Sequence, residues 1–262
     1  MKVTIGADPE FFIEDKYGNL RSAIDYIGGT KDRPRSLRRP GFAVLEDNVA
    51  VEFNIPPATS EQEFIKSIQW SKKEIKKLLD KMQFRFNTQA AVLFPAMELA
   101  DPRTRTFGCE PDFNAWKMGQ RNPKPHAKNQ RLRSCGGHIH VGYSNALDIS
   151  KINLVKLMDL YLGVPSVLMD EDVDRRELYG KAGTFRPTAY GVEYRTLSNF
   201  WIFDPQKIRW AYRETHRAIR QAATADNTYL RQLESSKIAD CINTSNIDLA
   251  LQLISEYDLC TV

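Results

Sequence analysis

The chain has 262 residues, 42% of them hydrophobic and 27% charged, with a formal net charge of +4. This composition is ordinary for a soluble globular protein, and the length fits one large domain or two small ones. So mild a charge is no argument for a nucleic-acid partner. The start, Met1-Lys-Val-Thr-Ile5, has no apolar leader, and no run approaches the ~20 apolar residues that span a bilayer. Cys109, Cys135, Cys241 and Cys260 show no C-x-x-C spacing, so a reduced, cytoplasmic protein with free thiols is expected. The charge is uneven. Lys31–Arg39 holds five basic residues and one acid, Lys117–Arg133 six basic residues and no acid, and the segment from Asp226 is acidic. Each basic segment reads as a phosphate-facing loop or as solvated surface.

In chain order, Val3 and Ile5 begin a strand leading into Gly6-Ala-Asp-Pro-Glu-Phe-Phe-Ile13. Asp8 and Glu10 are two apart and share a face on extended backbone. Two carboxylates on one face repel unless a cation or a shared proton compensates. A surface turn at Asp8-Pro9 is the alternative, but Phe11 and Phe12 carry the segment into the core. Asp15-Lys-Tyr-Gly-Asn19 predicts a hairpin turn, followed by a basic loop opened by Gly28-Gly29. In Glu46–Pro57, Val49, Val51, Phe53 and Ile55 alternate with Ala50, Glu52 and Asn54, a period of two. Glu52 and Asn54 therefore share a face, and Asp47 is expected on the turn before the strand or at a bulge.

Ser60 and Glu63 form a capping box for a helix with Phe64, Ile68, Ile75, Leu79 and Met82 at helical spacing. Gln89–Phe94 reads as a strand. Glu110 and Asp112, an acid-Pro-acid echo of Asp8 and Glu10, are further candidates for ligands or substrate contacts. Then comes Cys135-Gly-Gly-His-Ile-His-Val-Gly-Tyr143, in which a strand places His138 and His140 on one face. Asp148 is expected to cap a helix ended by Gly163-Val-Pro165. The Gly-containing stretch Asp174–Arg186 carries Arg175, Arg176, Lys181 and Arg186, which suit an anionic ligand but lack the Walker spacing. Glu193 and Arg195 share a strand face. Helices are expected from Asp204-Pro205 to about residue 225, and again after Asn246.

Four strands thus carry same-face polar pairs: Asp8/Glu10, Glu52/Asn54, His138/His140 and Glu193/Arg195. Buried carboxylates need partners, and an oxygen-rich set with one or two imidazoles favours Mg²⁺ or Mn²⁺ over zinc. Divalent metal, phosphates and arginines together are the equipment of phosphoryl transfer.

Five stretches in this order resemble the glutamine synthetase/glutamate–cysteine ligase superfamily, most closely its phage-type carboxylate–amine (COOH–NH2) ligases, type 2. They are Gly6-Ala-Asp-Pro-Glu-Phe-Phe, Asp47-Asn-Val-Ala-Val-Glu-Phe-Asn-Ile-Pro-Pro, Gly136-Gly-His-Ile-His-Val-Gly, Arg176-Glu-Leu-Tyr-Gly-Lys-Ala-Gly-Thr-Phe-Arg and Gly191-Val-Glu-Tyr-Arg. The resemblance implies an α+β fold: one domain over 1–262, an open antiparallel sheet with helices on its convex face, and the helices from about 204 packing on the core. It implies ATP, two or three Mg²⁺ (or Mn²⁺), and an amide formed through an acyl phosphate. By position, Asp8 and Glu10 resemble the first acidic metal pair, and Asp47 and Glu52 the second acidic group. His138 resembles the histidine ligand and Glu193 the late metal glutamate. Arg186 and Arg195 resemble arginines that contact phosphate or the transition state. Lys181, Arg176 and His140 are assigned to the nucleotide, with substrate contact or space filling as alternatives for His140. Asp8 stands where glutamate is common in other branches, and its shorter arm shifts the metal.

The implied partners are a carboxylate and an amine, either small molecules or peptides, in the cytoplasm (of a bacterial host if phage-encoded). A homo-oligomer is compatible with the family. Two rival readings use parts of the same sequence: a zinc hydrolase using His138-x-His140, and a non-enzymatic nucleic-acid-binding protein using the basic segments.

Overall fold

The computed structural model describes residues 3–105, 112–125, 128–144, 147–224, 233 and 235–262. Cys109, Glu110 and His126 lie outside the described residues. The strands are Val3–Ala7 (β1), Glu10–Asp15 (β2), Leu20–Arg21 (β3), Arg35–Ser36 (β4), Ala43–Asp47 (β5), Ala50–Asn54 (β6), Phe84–Asn87 (β7), Ala91–Leu93 (β8), Phe113–Asn114 (β9), Gln120–Arg121 (β10), Leu132–Ser134 (β11), Ile139–Tyr143 (β12), Thr184–Pro187 (β13) and Gly191–Tyr194 (β14). The helices are Glu61–Lys81 (α1), Lys151–Met158 (α2), Val164–Met169 (α3), Arg175–Leu178 (α4), Pro205–Thr224 (α5), Ser235–Thr244 (α6) and Ile247–Tyr257 (α7).

The result is a mixed α+β protein whose sheets are antiparallel. Among the described residues, one sheet runs β1-β12-β14-β13-β9-β10, a second runs β3-β2-β6-β5-β4 with β7 also on β2, and β8 pairs with β11 in a separate two-stranded sheet. The first two strands link the two larger sheets. β1 pairs with β12, whereas β2 pairs with β6, so the chain changes sheets at Asp8-Pro9. Proline cannot donate to a ladder, which makes this a natural crossing point. The crossing is well satisfied. Phe53 N donates to Pro9 O at 3.1 Å, Ile55 N to Ala7 O at 3.2 Å, and Glu10 N to Gly136 O at 2.8 Å.

Local expectations hold at several points. Asp15 closes the predicted turn by accepting from Tyr17 N and Asn19 N. Asp47 does sit on the turn before its strand, where it pairs with Ala50 across a two-residue loop. Asn48 takes φ 57 there, a left-handed conformation that asparagine tolerates. Ser60 caps α1 by accepting from Glu63 N at 3.2 Å. The Glu63 carboxylate reaches back to Thr59 N, one residue earlier than the usual capping box. Inside, Phe64 stacks on Trp201 at 5.9 Å, joining α1 to the segment before α5.

One helix differs from the sequence reading. Its cap is Ser150, not Asp148, and it does not stop at Gly163. α2 continues through a π-helical turn, Asp159–Gly163, into α3, which has Pro165 in its first turn. The wider turn has already shifted the hydrogen-bond ladder, so the proline begins a new register instead of breaking an old one. The resulting 19-residue helix, Lys151–Met169, is long and apolar enough to cross a membrane by length and composition, against the expectation of no such run. It is instead 72% buried, packed against α5 and β14. The free cysteines among the described residues are Cys135, Cys241 and Cys260.

Candidate functional site

The site is assembled across the seam between the two sheets. In the first, Gly6, His140, Glu193 and Arg186 stand side by side in register across β1, β12, β14 and β13. With a period of two, Asp8, His138 and Arg195 form the next row on that face. Gly136 and Gly137 make the histidine position reachable. A Cβ on Gly136 would lie 2.2 Å from His138 Nε2, and one on Gly137 would lie 2.2 Å from Ser198 O. In the second sheet Glu10 and Glu52 are direct cross-strand partners, and Asp47 approaches them from the β5–β6 turn.

Two ligand-like groups result. Asp8, His140 and Glu193 offer donor atoms within 4.8 Å of one another, as do Glu10, Asp47 and Glu52. The sequence reading pairs Asp8 with Glu10; the fold instead divides them between these groups. Glu52 still feels both, because burial together with the charges of Asp8, Glu10 and Asp47 pushes its carboxyl well above the usual range. Burial and then Asp47 raise Glu10 to about 7, opposed by the Gly136 N–H, Arg195 and Arg175. Burial would also raise Asp8, but His140 and His138 outweigh it and hold that carboxyl well below its ordinary value.

The two imidazoles are unlike. His138 is buried, and burial followed by Arg195 lowers it to about 4, leaving a neutral ring at pH 7. Its Nδ1 lies 3.6 Å from both Asp8 Oδ1 and Glu193 Oε1. His140 Nε2 is 2.9 Å from Asp8 Oδ1 and its Nδ1 is 2.6 Å from the Tyr190 hydroxyl. Burial opposes protonation of His140, yet Asp8 and Glu193 raise it overall.

Arg186 Nη1 donates to Glu193 Oε2 at 2.9 Å, and Arg195 Nη1 donates to Glu193 Oε1. The same-face pair Glu193/Arg195 is therefore a buried ion pair, not a surface one. Arg195 Nε also lies 4.0 Å from Asp112, the carboxylate singled out in the acid-Pro-acid echo.

Two cavities open on these groups. The first, about 650 Å³, is lined by Glu10, Asp47, Asp112, His138, Arg133, Arg175 and Arg195, with apolar surface from Phe12 and Val49. The second, about 750 Å³, is lined by Asp8, Asn54, His140 and Tyr190 over a floor that includes Gly6, Ile55 and Pro57.

Arg176 and Lys181 are not brought to either cavity. Arg176 is buried and donates to Ser245 Oγ at 2.9 Å, and Lys181 is exposed. Sequence reasoning did not single out Arg133 or Tyr190, and it did not separate Arg175 from its neighbours. Arg175 donates to the carbonyls of Cys135, Thr196 and Arg195, so it ties the segment leading into β12 to the one leaving β14. Arg133 similarly binds the carbonyls of Gln130, Leu132 and Thr104. No sequence signal separates an arginine that braces backbone from one that meets a ligand. For the zinc reading, which uses both His138 and His140, each ligand-like group among the described residues contains at most one imidazole, and His216 lies on α5 against Tyr212.

No curated protein matches the chain. Of the candidate residues, His138, His140, Arg176, Lys181, Arg186, Glu193 and Arg195 fall within the segment that does find a match, while Asp8, Glu10, Asp47 and Glu52 precede it. That segment, residues 127–239, matches the family model described as Phage phiEco32-like COOH.NH2 ligase-type 2, which bears out the resemblance read from the motifs.

Proposed function

We propose that this protein is an ATP- and Mg²⁺-dependent carboxylate–amine ligase that makes an amide through an acyl phosphate. The observation that carries the reading is the pair of oxygen-rich groups, Asp8/His140/Glu193 and Glu10/Asp47/Glu52, set between an arginine-lined cavity and a second, cation-poor one. The family description supports the class of reaction.

The residues fit hard divalent cations. In the Glu10/Asp47/Glu52 group, burial and neighbouring charges raise Glu10 and Glu52, and the buried Asp8 Oδ1 meets only the His140 and His138 ring nitrogens. Such a set is costly alone and favourable around Mg²⁺ or Mn²⁺. Glu10, Asp47 and Glu52 would hold one ion. Asp8 and Glu193 would hold another, with a ring nitrogen from His138 or His140. When bound, Mg²⁺ neutralises charge on phosphates and carboxylate and so lowers the barrier to bringing anions together.

The protein's own groups do the rest. Arg195 and Arg186, preordered on Glu193, stabilise charge developing during phosphoryl transfer. The second cavity, with the half-exposed Tyr190 ring and His140, receives the nucleotide. The first, with Arg195 at its wall and apolar Phe12 and Val49, receives the carboxylate, followed by the amine. Both are small metabolites or peptide groups, met in the cytoplasm. The single-domain organisation and the ligase-like form of the sheet belong to this same reading.

The test is incubation with MgATP, pooled carboxylic acids and hydroxylamine, a small amine that traps acyl phosphates. ADP and acyl hydroxamates are expected by mass spectrometry. Glu10→Ala, Glu52→Ala and Glu193→Ala should each abolish both while leaving the circular dichroism spectrum intact. Undiminished hydroxamate formation in any two of them would sink the assignment.

A further inference from the structure

Beneath β14, on the face opposite Glu193 and Arg195, lies a buried carboxylate that the proposed chemistry does not use. Asp159, fully buried, opens the π-helical turn between α2 and α3. Its Oδ1 accepts from Tyr194 OH at 2.8 Å and from Thr196 Oγ1 at 3.1 Å. Its Oδ2 accepts from Trp116 Nε1 at 2.6 Å and from Gly183 N. Four donors saturate the lone pairs of one carboxylate. No ion pair to it occurs among the described residues, so these hydrogen bonds alone hold the charge. Gly163 leaves the space, since a Cβ there would lie 3.0 Å from Tyr194 OH.

The partners are not scattered. Gly183 precedes β13, which carries Arg186; Tyr194 and Thr196 flank Arg195 and follow Glu193. Alternation sends Glu193 and Arg195 upward into the site and Tyr194 and Thr196 downward onto Asp159. The carboxylate therefore grips both strands of the β13–β14 hairpin from below and ties them to Trp116. Among the described residues it makes no such bond to β2, β5 or β6, which present Glu10, Asp47 and Glu52.

We propose that Asp159 is a positioning residue that fixes the β13–β14 hairpin, and through it Glu193, Arg186 and Arg195, against the Asp8 side of the site. The consequence for metal binding rests on the ligase reading above; the consequence for the hairpin does not. A charge in this place outperforms a neutral amide, because every partner is a donor and charge-assisted bonds are the stronger kind.

The experiment uses full-length Asp159→Asn, with Tyr194→Phe as a second variant that removes one donor and keeps the charge. Hydrogen exchange in metal-free protein should accelerate at least tenfold at amides in 184–187 and 191–196, with 10–15 and 50–54 unchanged. Mn²⁺ affinity should fall about tenfold at the Asp8–Glu193 group only, in line with outer partners of metal ligands. The two groups are told apart with Glu193→Gln and Glu52→Gln. Tyr194→Phe should show the same pattern more weakly, and it decides the matter if Asp159→Asn does not fold. Uniform acceleration across both sheets, or none, would overturn the proposal and leave Asp159 an ordinary core contact. If the wild type binds no Mn²⁺, the metal reading falls, and the exchange pattern still decides the role of Asp159.

Discussion

Glu10→Gln should stabilise the metal-free protein at alkaline pH while removing much of its response to magnesium. Burial, with the Asp47 charge, moves the Glu10 carboxyl from 4.5 to about 7. A raised acid keeps its proton longer in the folded state. Its contribution is thus fully present below about pH 4.5 and is lost as pH rises through about 7. At about 1.4 kcal/mol per unit, the strain on folded Glu10 reaches roughly 3 kcal/mol by pH 8. Glutamine removes the charge, keeps the volume and keeps an acceptor for Gly136 N, which donates to Glu10 Oε2 at 2.7 Å. The variant should therefore match wild type near pH 4.5 and exceed it at pH 8, by roughly 6 °C in Tm at about 2 °C per kcal/mol. Asp8 has the opposite sign, but its window lies below its ordinary carboxylate value and does not reach this range. Thermal melts in EDTA at pH 5 and pH 8, then with Mg²⁺, make the comparison. Wild type should gain Tm with Mg²⁺, and the variant should gain much less. A variant less stable than wild type at pH 8 in EDTA would refute the reasoning, showing that Arg195 and Arg175 outweigh the desolvation and repulsion.

Ser60→Ala removes the acceptor for Glu63 N and should cost about 1 kcal/mol in denaturant unfolding without altering turnover. Gly136→Ala puts a Cβ where the His138 ring lies. A displaced ring should lower hydroxamate formation by about 10²-fold, since ångström-scale misplacement costs that much, with the far-ultraviolet spectrum unchanged.

Much of the candidate site was legible because strand alternation is a local rule. The pairs Glu193/Arg195 and His138/His140, the turn position of Asp47 and the strand carrying Glu52 all follow from a period of two with apolar neighbours. What was not legible depends on which strands meet. Asp8 and Glu10 are local neighbours, yet β1 and β2 belong to different sheets, so Glu10 joins residues about forty positions away and Asp8 residues more than a hundred away. How the two histidines differ was not legible for a similar reason. The ring drawn closest to Asp8 is His140, which Tyr190 orients, while His138 sits 3.6 Å away over Gly136. Arg175 and Arg176 read as ligand-binding by type alone. In the fold, Arg175 braces backbone carbonyls and Arg176 turns to Ser245 and Asp170.

The sequence by itself determined the α+β class, the chemistry-bearing strands, the helix caps at Ser60 and Asn246, and the family resemblance. These rest on periodicity, capping and short motifs, which act over a few residues. Only the tertiary structure decided how six acidic and imidazole groups divide into two clusters, that the buried carboxylate of Asp159 underpins β14, and that Lys151–Met169 is one helix in the core. Those outcomes depend on sheet order and on desolvation, and both arise from contacts between segments that no local pattern encodes.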